Sequence, residues 1–292
     1  MNGERSGPTR GALAWIATAV AWTLCGCTTA PIGDPNDAPG SVTEAPVALG
    51  DRSHDGHWYL PSGAAAALVV LEPGFAQPCR RLRGTARELM QAGLMVLCVD
   101  AEMTAGNPAL ADALARSLIS DLTAPGLRAL PQRIIVAGHS AGGAFAAQLG
   151  VALIRLAAQR LAGAVLFDPV GGTDLPSQLL TISDRGRRPV LAILALPDGC
   201  NAGLSSAPAL HQVRLAALAA GGDGFVGVQL TEGATHIDAE GEDSGWFARW
   251  ACGEPRVANV ALLRRLAVRW SLDMAGGMAP QVDAAPGSQP IR

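Results

Sequence analysis

"RIIVAGHSAGGAFAAQL", residues 133–149, runs from an apolar stretch through Gly138-His139-Ser140-Ala141-Gly142-Gly143 into an Ala- and Leu-rich helical pattern. Ile134 to Ala137 read as a strand covered on both faces, and residues 141–161 as a long helix. Ser140 then stands on a sharp strand-to-helix turn. A GxSxG string is weak alone, because glycine and serine suit any such turn. Its context is stronger. Gly138 and Gly142 remove side chains where strand and helix approach closely, and Gly143 keeps the first helical turn bare. The positive end of the helix dipole lies beside the Ser140 hydroxyl, where an oxyanion would develop. The stretch reads as a nucleophile elbow.

Working outward, the same alternation continues. Short apolar runs at 57–60, 67–73, 94–100, 133–139, 162–169, 189–197 and 225–232 read as strands, most of them continuous rather than alternating. Helical patterns fall near 80–92, 108–124, 141–161, 206–220 and 257–274. This order predicts an α/β domain with a mostly parallel, doubly wound sheet flanked by helices. Functional residues of such sheets gather outside the carboxyl ends of the strands. Only about 20 residues separate Asp168 from the next strand, without a strong helical pattern, so no large cap domain is expected there.

The chain has 292 residues, 49% of them hydrophobic, and a formal net charge of −3. That supports one sizeable core and gives no electrostatic case for nucleic acid. Arg5 and Arg10 precede the apolar stretch 11–24, which reads as a secretory signal and is short for a membrane span. Leu24-Cys25-Gly26-Cys27 also resembles a bacterial lipobox, which would make Cys27 a lipidated membrane tether; plain secretion is the alternative. Residues 1–27 are thus assigned to the signal, 28–50 to a flexible tether, 51–275 to the domain and 276–292 to a disordered tail.

Four cysteines remain after the signal: Cys79, Cys98, Cys200 and Cys252. In an oxidising compartment an even number suggests two disulfides, with three pairings open; a buried Cys98 thiol is the competing account. No CxxC or HxxxH spacing marks a metal site, and the acidic "HIDAEGED" run does not match an EF-hand loop. No metal or organic cofactor is expected.

A working serine needs a base, an acid and an oxyanion hole. Of the five histidines, His139 lies within the elbow, His54 and His57 sit in "HDGH", read as a solvated turn, and His211 lies in a helical pattern. His236 remains, just past the last predicted parallel strand, and completes the order Ser, acid, His. The acid is Asp168 in "AVLFDPVGG" or Asp198 in "AILALPDGCN". Asp-Gly is a common turn pair, which explains Asp198 without catalysis. Asp168 stands between Phe167 and Pro169, where an unpaired carboxylate would be costly, and is preferred. The oxyanion donors are the amides of Ala141 and Phe75, the latter in the loop after strand 67–73.

Together these residues resemble the α/β-hydrolase superfamily. "PGF" (73–75) with "GHSAGG" (138–143) is similar to cutinase-like polyester hydrolases. "GHSAGG", "FDPVGG" (167–172) and "THIDAE" (235–240) are similar to chlorophyllases. The chlorophyllase resemblance implies Asp168 as acid; the cutinase one implies Asp198. Ala141 and Thr235 depart from the chlorophyllase pattern, so chlorophyll is not implied as substrate. The superfamily's sheet order would place the strand ending at Asp100 beside the strand ending near Pro73. It thereby implies the pairings Cys79–Cys98 and Cys200–Cys252.

The expected function is an exported serine hydrolase acting on a small-molecule or polymeric carboxylic ester. A peptidase or thioesterase with the same machinery, and a non-catalytic exported binding lipoprotein, are the alternatives. Oligomeric state has no signal in the sequence.

Overall fold

The continuous apolar runs in the middle of the chain become the parallel strands of one sheet. The computed structural model describes residues 40–101, 106–280 and 285–291. The expected signal, Cys27 and the first part of the expected tether lie outside these residues. The strands are β1 (Gly40–Leu49), β2 (Arg52–Pro61), β3 (Leu68–Glu72), β4 (Met95–Asp100), β5 (Ile134–His139), β6 (Leu161–Phe167), β7 (Val190–Leu194), β8 (Gly227–Leu230) and β9 (Ser288–Pro290). They lie side by side in the order β1-β2-β4-β3-β5-β6-β7-β8-β9. The block from β4 to β8 is parallel; β1, β2 and β9 are antiparallel to their neighbours.

The helices are α1 (Arg83–Gln91), α2 (Pro108–Ser120), α3 (Ala141–Ala157), α4 (Leu175–Ser183), α5 (Ala207–Ala219), α6 (Trp246–Cys252) and α7 (Val257–Gly276). Helices α2 to α5 cover one sheet face around Leu114, Phe145, Leu179 and Leu210. Helices α1 and α7 cover the other around Leu89, Leu263 and Trp270. Crossover helices on both faces are what bury every residue of β3 and β5. Removing Ile134, Ile135 and Val136 of β5 fully from water contributes roughly 1.5–3 kcal/mol per side chain, before the entropy of ordering them.

Several expectations are corrected. Residues 40–49, assigned to the tether, form β1. They pair with β2 through a two-residue turn at Gly50-Asp51, where Gly50 takes φ +66°. "HDGH" is therefore part of a strand rather than a turn, and β2 begins at Arg52. Within the expected disordered tail, Ser288–Pro290 form β9 on the edge of β8; proline is tolerated there because an edge strand leaves one row of amides unpaired. Residues 175–183 form α4, whose Leu175, Leu179 and Ile182 pack into the core against α3 and α5. That helix flanks the sheet rather than capping it.

The cysteines pair as Cys79–Cys98 and Cys200–Cys252, each with Cα atoms 5.8 Å apart. The first joins the segment after β3 to β4. The second joins the loop after β7 to the end of α6.

Candidate active site

Strand β5 delivers Ser140 at φ 54°, ψ −124°, a conformation that L-residues seldom adopt. The elbow is held from three sides. The Ser140 amide donates to the Phe167 carbonyl at 3.1 Å, and its carbonyl accepts from Gly143 at 2.9 Å and Val170 at 3.0 Å. A Cβ on Gly138 would strike the Gly142 carbonyl, and one on Gly142 would strike the carbonyls of Glu72 and Pro73. The glycines are thus required by close backbone approach, as the sequence suggests. The loop after β3 crosses directly over the serine: a Cβ on Gly74 would stand 3.1 Å from that of Ser140. The amides of Ala141 and Phe75 have no hydrogen-bond acceptor among the described residues.

His236 opens a one-turn 3-10 segment (His236–Ala239) beyond β8. Its Nδ1 lies 2.6 Å from Asp168 Oδ2, and both side chains are buried. Asp168 follows β6 directly, at φ 41°. Its remaining acceptor capacity is filled by the Ala195 amide at 3.2 Å and the Asn201 Nδ2 group at 3.0 Å. Such a shell of donors compensates a carboxylate taken out of water. With Nδ1 engaged, the imidazole has Nε2 free for proton transfer. The Ser140 hydroxyl makes no hydrogen bond among the described residues; nucleophile-to-base contacts are often long before substrate binds.

Asp198, the competing acid, is turned into its own loop. Its Oδ1 accepts from the amides of Cys200 at 2.8 Å and Asn201 at 3.0 Å. That is an Asx turn, as the Asp-Gly reading anticipates. Sequence reasoning missed Asn201. This fully buried residue uses both amide hydrogens, on Asp168 and on the Leu196 carbonyl, while its Oδ1 accepts from Asp198 and Leu204. Its signal was the same "DGCN" run, read only for its turn.

A second histidine supports the first. His139 Nε2 bonds the His236 carbonyl at 2.8 Å, and the two rings lie 4.6 Å apart. Burial, with the adjacent His236 adding to it, lowers the His139 pKa to about 3. The imidazole is neutral, so its 3.9 Å approach to Glu240 is no ion pair. Burial also pushes Glu240 up to about 7, opposed by Arg81 and His236. His139 Nδ1 and Glu240 Oε2 are both buried without a hydrogen-bond partner.

The His236 loop is fastened by Asp238, whose carboxylate accepts from the Thr235 amide at 2.9 Å, the Arg256 amide at 2.8 Å and Asn259 at 3.1 Å. Burial raises the Asp238 pKa against these donors. Asp243, in the same acidic run, binds Arg83 at 2.6 Å and the Gly84 amide at 2.7 Å.

The sheet brings Phe75, Ser140, Asp168 and His236 to the carboxyl ends of β3, β5, β6 and β8, one edge of the molecule. Neither a protein-family model nor a curated protein matches the chain.

Proposed function

We propose that the chain is a serine hydrolase of the α/β-hydrolase superfamily that cleaves carboxylic esters through an acyl-enzyme. One observation carries the reading. A serine at positive φ between strand and helix shares a sheet edge with a buried His236–Asp168 hydrogen bond, in the chain order Ser, Asp, His. The placement of β4 beside β3, which the superfamily resemblance implies, supports it further.

Ser140 Oγ attacks the ester carbonyl while His236 Nε2 takes its proton. Asp168 holds the imidazole in the Nδ1–H tautomer and stabilises the imidazolium without itself accepting the proton. The amides of Ala141 and Phe75 receive the oxyanion; a donor of this kind is worth on the order of 10²–10³ in rate. His236 returns its proton to the leaving alcohol, and water, activated by the same base, releases the acid. Every group in this scheme belongs to the chain or the solvent. The basic and apolar N-terminus, together with two disulfides, supports export.

A serine-reactive phosphonate tests the reading. It is expected to label the folded protein once, at Ser140 by peptide mapping. Folded protein that takes no label would favour a binding lipoprotein.

A further inference from the structure

Beside the His236–Asp168 pair lies a second buried pair that the proposed reaction does not use. His139, the last residue of β5, places its ring against the loop after β3: a Cβ on Gly74 would stand 3.5 Å from His139 Nδ1 and 3.6 Å from Ser140 Oγ. The ring's other nitrogen meets the His236 carbonyl at 2.8 Å. One imidazole thus reaches both the loop that carries the Phe75 amide and the backbone of the base.

Hydrogen-bonding capacity fixes the tautomer of this ring. A carbonyl only accepts, so Nε2 carries the hydrogen. Burial keeps the imidazole neutral, so Nδ1 presents a lone pair. Nδ1 is buried without a partner, and so is Oε2 of Glu240, whose Oε1 stands 3.9 Å from Nδ1. A carboxylate there would set lone pair against lone pair. A carboxylic acid supplies the missing donor. A turn of the Glu240 side chain shortens the 3.9 Å separation to hydrogen-bond length.

We propose that His139 and Glu240 share one proton and together position the base. Glu240 donates it to His139 Nδ1, His139 Nε2–H holds the His236 carbonyl, and the His236 ring is thereby kept facing Asp168. Both are positioning residues; neither touches the reacting atoms. Acid beside neutral imidazole and carboxylate beside imidazolium hold the same number of protons, so the pair titrates as one unit. Once that proton passes to solvent, one interaction must fail. Either a carboxylate faces the Nδ1 lone pair, or the ring changes tautomer and a bare Nε2 faces the carbonyl. Neither arrangement is cheap away from water.

The surroundings set where the proton is lost. Burial pushes Glu240 up to about 7; Arg81, in the turn Cys79–Leu82, and His236 oppose the rise, and Asp243 adds to it. Burial and the adjacent His236 both disfavour an imidazolium at His139. The anchoring is therefore complete below about pH 7 and is lost as pH rises through that value. Its effect on catalysis rests on the proposed function; the shared proton does not.

The test uses ¹⁵N-labelled full-length protein. Long-range ¹H–¹⁵N spectra, with His139 assigned by substituting the other histidines one at a time, are expected to show a neutral Nε2–H ring at pH 6. Its Nδ1 shift is expected to step with an apparent pKa of about 7 in the parent and to show no step in Glu240→Gln, whose amide donates at every pH. The ratio of parent to Glu240→Gln kcat for an ester is expected to fall about tenfold from pH 6 to pH 9. Glu240→Leu, which fills the space without a donor, is expected to stay about tenfold below Glu240→Gln throughout. An Nδ1–H ring at pH 6, or the same step in Glu240→Gln, overturns the shared proton. A kcat ratio level with pH, or Leu serving as well as Gln, overturns the positioning role. If the spectra behave as expected and no form hydrolyses esters, the proposed function fails and the shared proton stands.

Discussion

His236 Nδ1 lies 2.6 Å from Asp168 Oδ2, whereas Asp198 spends its carboxylate on the amides of Cys200 and Asn201. The two aspartates thus divide into one that faces the imidazole and one that shapes a loop. Asp168→Asn is expected to lower kcat by about 10⁴-fold, since the amide favours the wrong tautomer. Asp198→Asn keeps an oxygen acceptor for the turn, and kcat is expected to stay within about threefold, with stability down by no more than ~1 kcal/mol. Steady-state kinetics on both variants separates them; the reverse pattern would reassign the acid.

Asn201 joins these two carboxylates' loops. Asn201→Ala removes a donor from Asp168 and leaves the Leu196 carbonyl and the amides of Asp198 and Leu204 without their partner. We expect a stability loss of about 2–3 kcal/mol in denaturant melts. kcat is expected to fall on the order of 10²-fold, because a carboxylate free to turn misplaces the imidazole.

Glu240 gives a pH signature. Its folded pKa, about 7, exceeds the ordinary 4.5. Between those values the folded state holds a proton that the unfolded chain has lost, so this group's contribution to stability falls as pH rises. The accumulated penalty is about 3 kcal/mol by the linkage relation. Glu240→Gln should therefore gain on the parent steadily from about pH 4.5 to pH 7 in paired unfolding curves. A stability difference that is level across that range would contradict the burial of an ionisable Glu240.

The elbow glycines can be told from a glycine with room. Gly142→Ala drives a methyl into the carbonyls of Glu72 and Pro73, whereas a Cβ on Gly172 meets nothing within 4 Å. The first is expected to cost about 1–3 kcal/mol and to disturb the Phe75 loop. The second should stay within about 0.5 kcal/mol. Thermal melts of the two variants provide the comparison.

The parallel strands were legible because continuous apolar runs such as Ile134-Ile135-Val136-Ala137 admit few other readings. β1 was not, since Pro46, Gly40 and its polar residues resemble a linker until β2 is present to pair with it. Its one local signal was Gly50-Asp51, a two-residue hairpin turn. Helix α4 was obscured for a related reason: Pro176 stands in its first turn, where it is tolerated, and the helix is only nine residues long. At the site, Ser140, His236 and Asp168 could be reached by chain order and by the cost of an unpaired carboxylate beside Phe167. The roles of Asn201, His139 and Glu240 at the site were not legible, because Asp168 lies 33 residues from Asn201, and the partners of the other two lie about 100 residues away. Local pattern carries no trace of such contacts.

The most direct measurement is hydrolysis of a short-to-long series of p-nitrophenyl esters by the full-length protein and by Ser140→Ala. The parent is expected to turn over, and the variant to lose activity by 10⁴-fold or more, roughly the effect of removing a triad nucleophile. Folded, disulfide-intact protein without activity, or an active Ser140→Ala variant, would contradict the account.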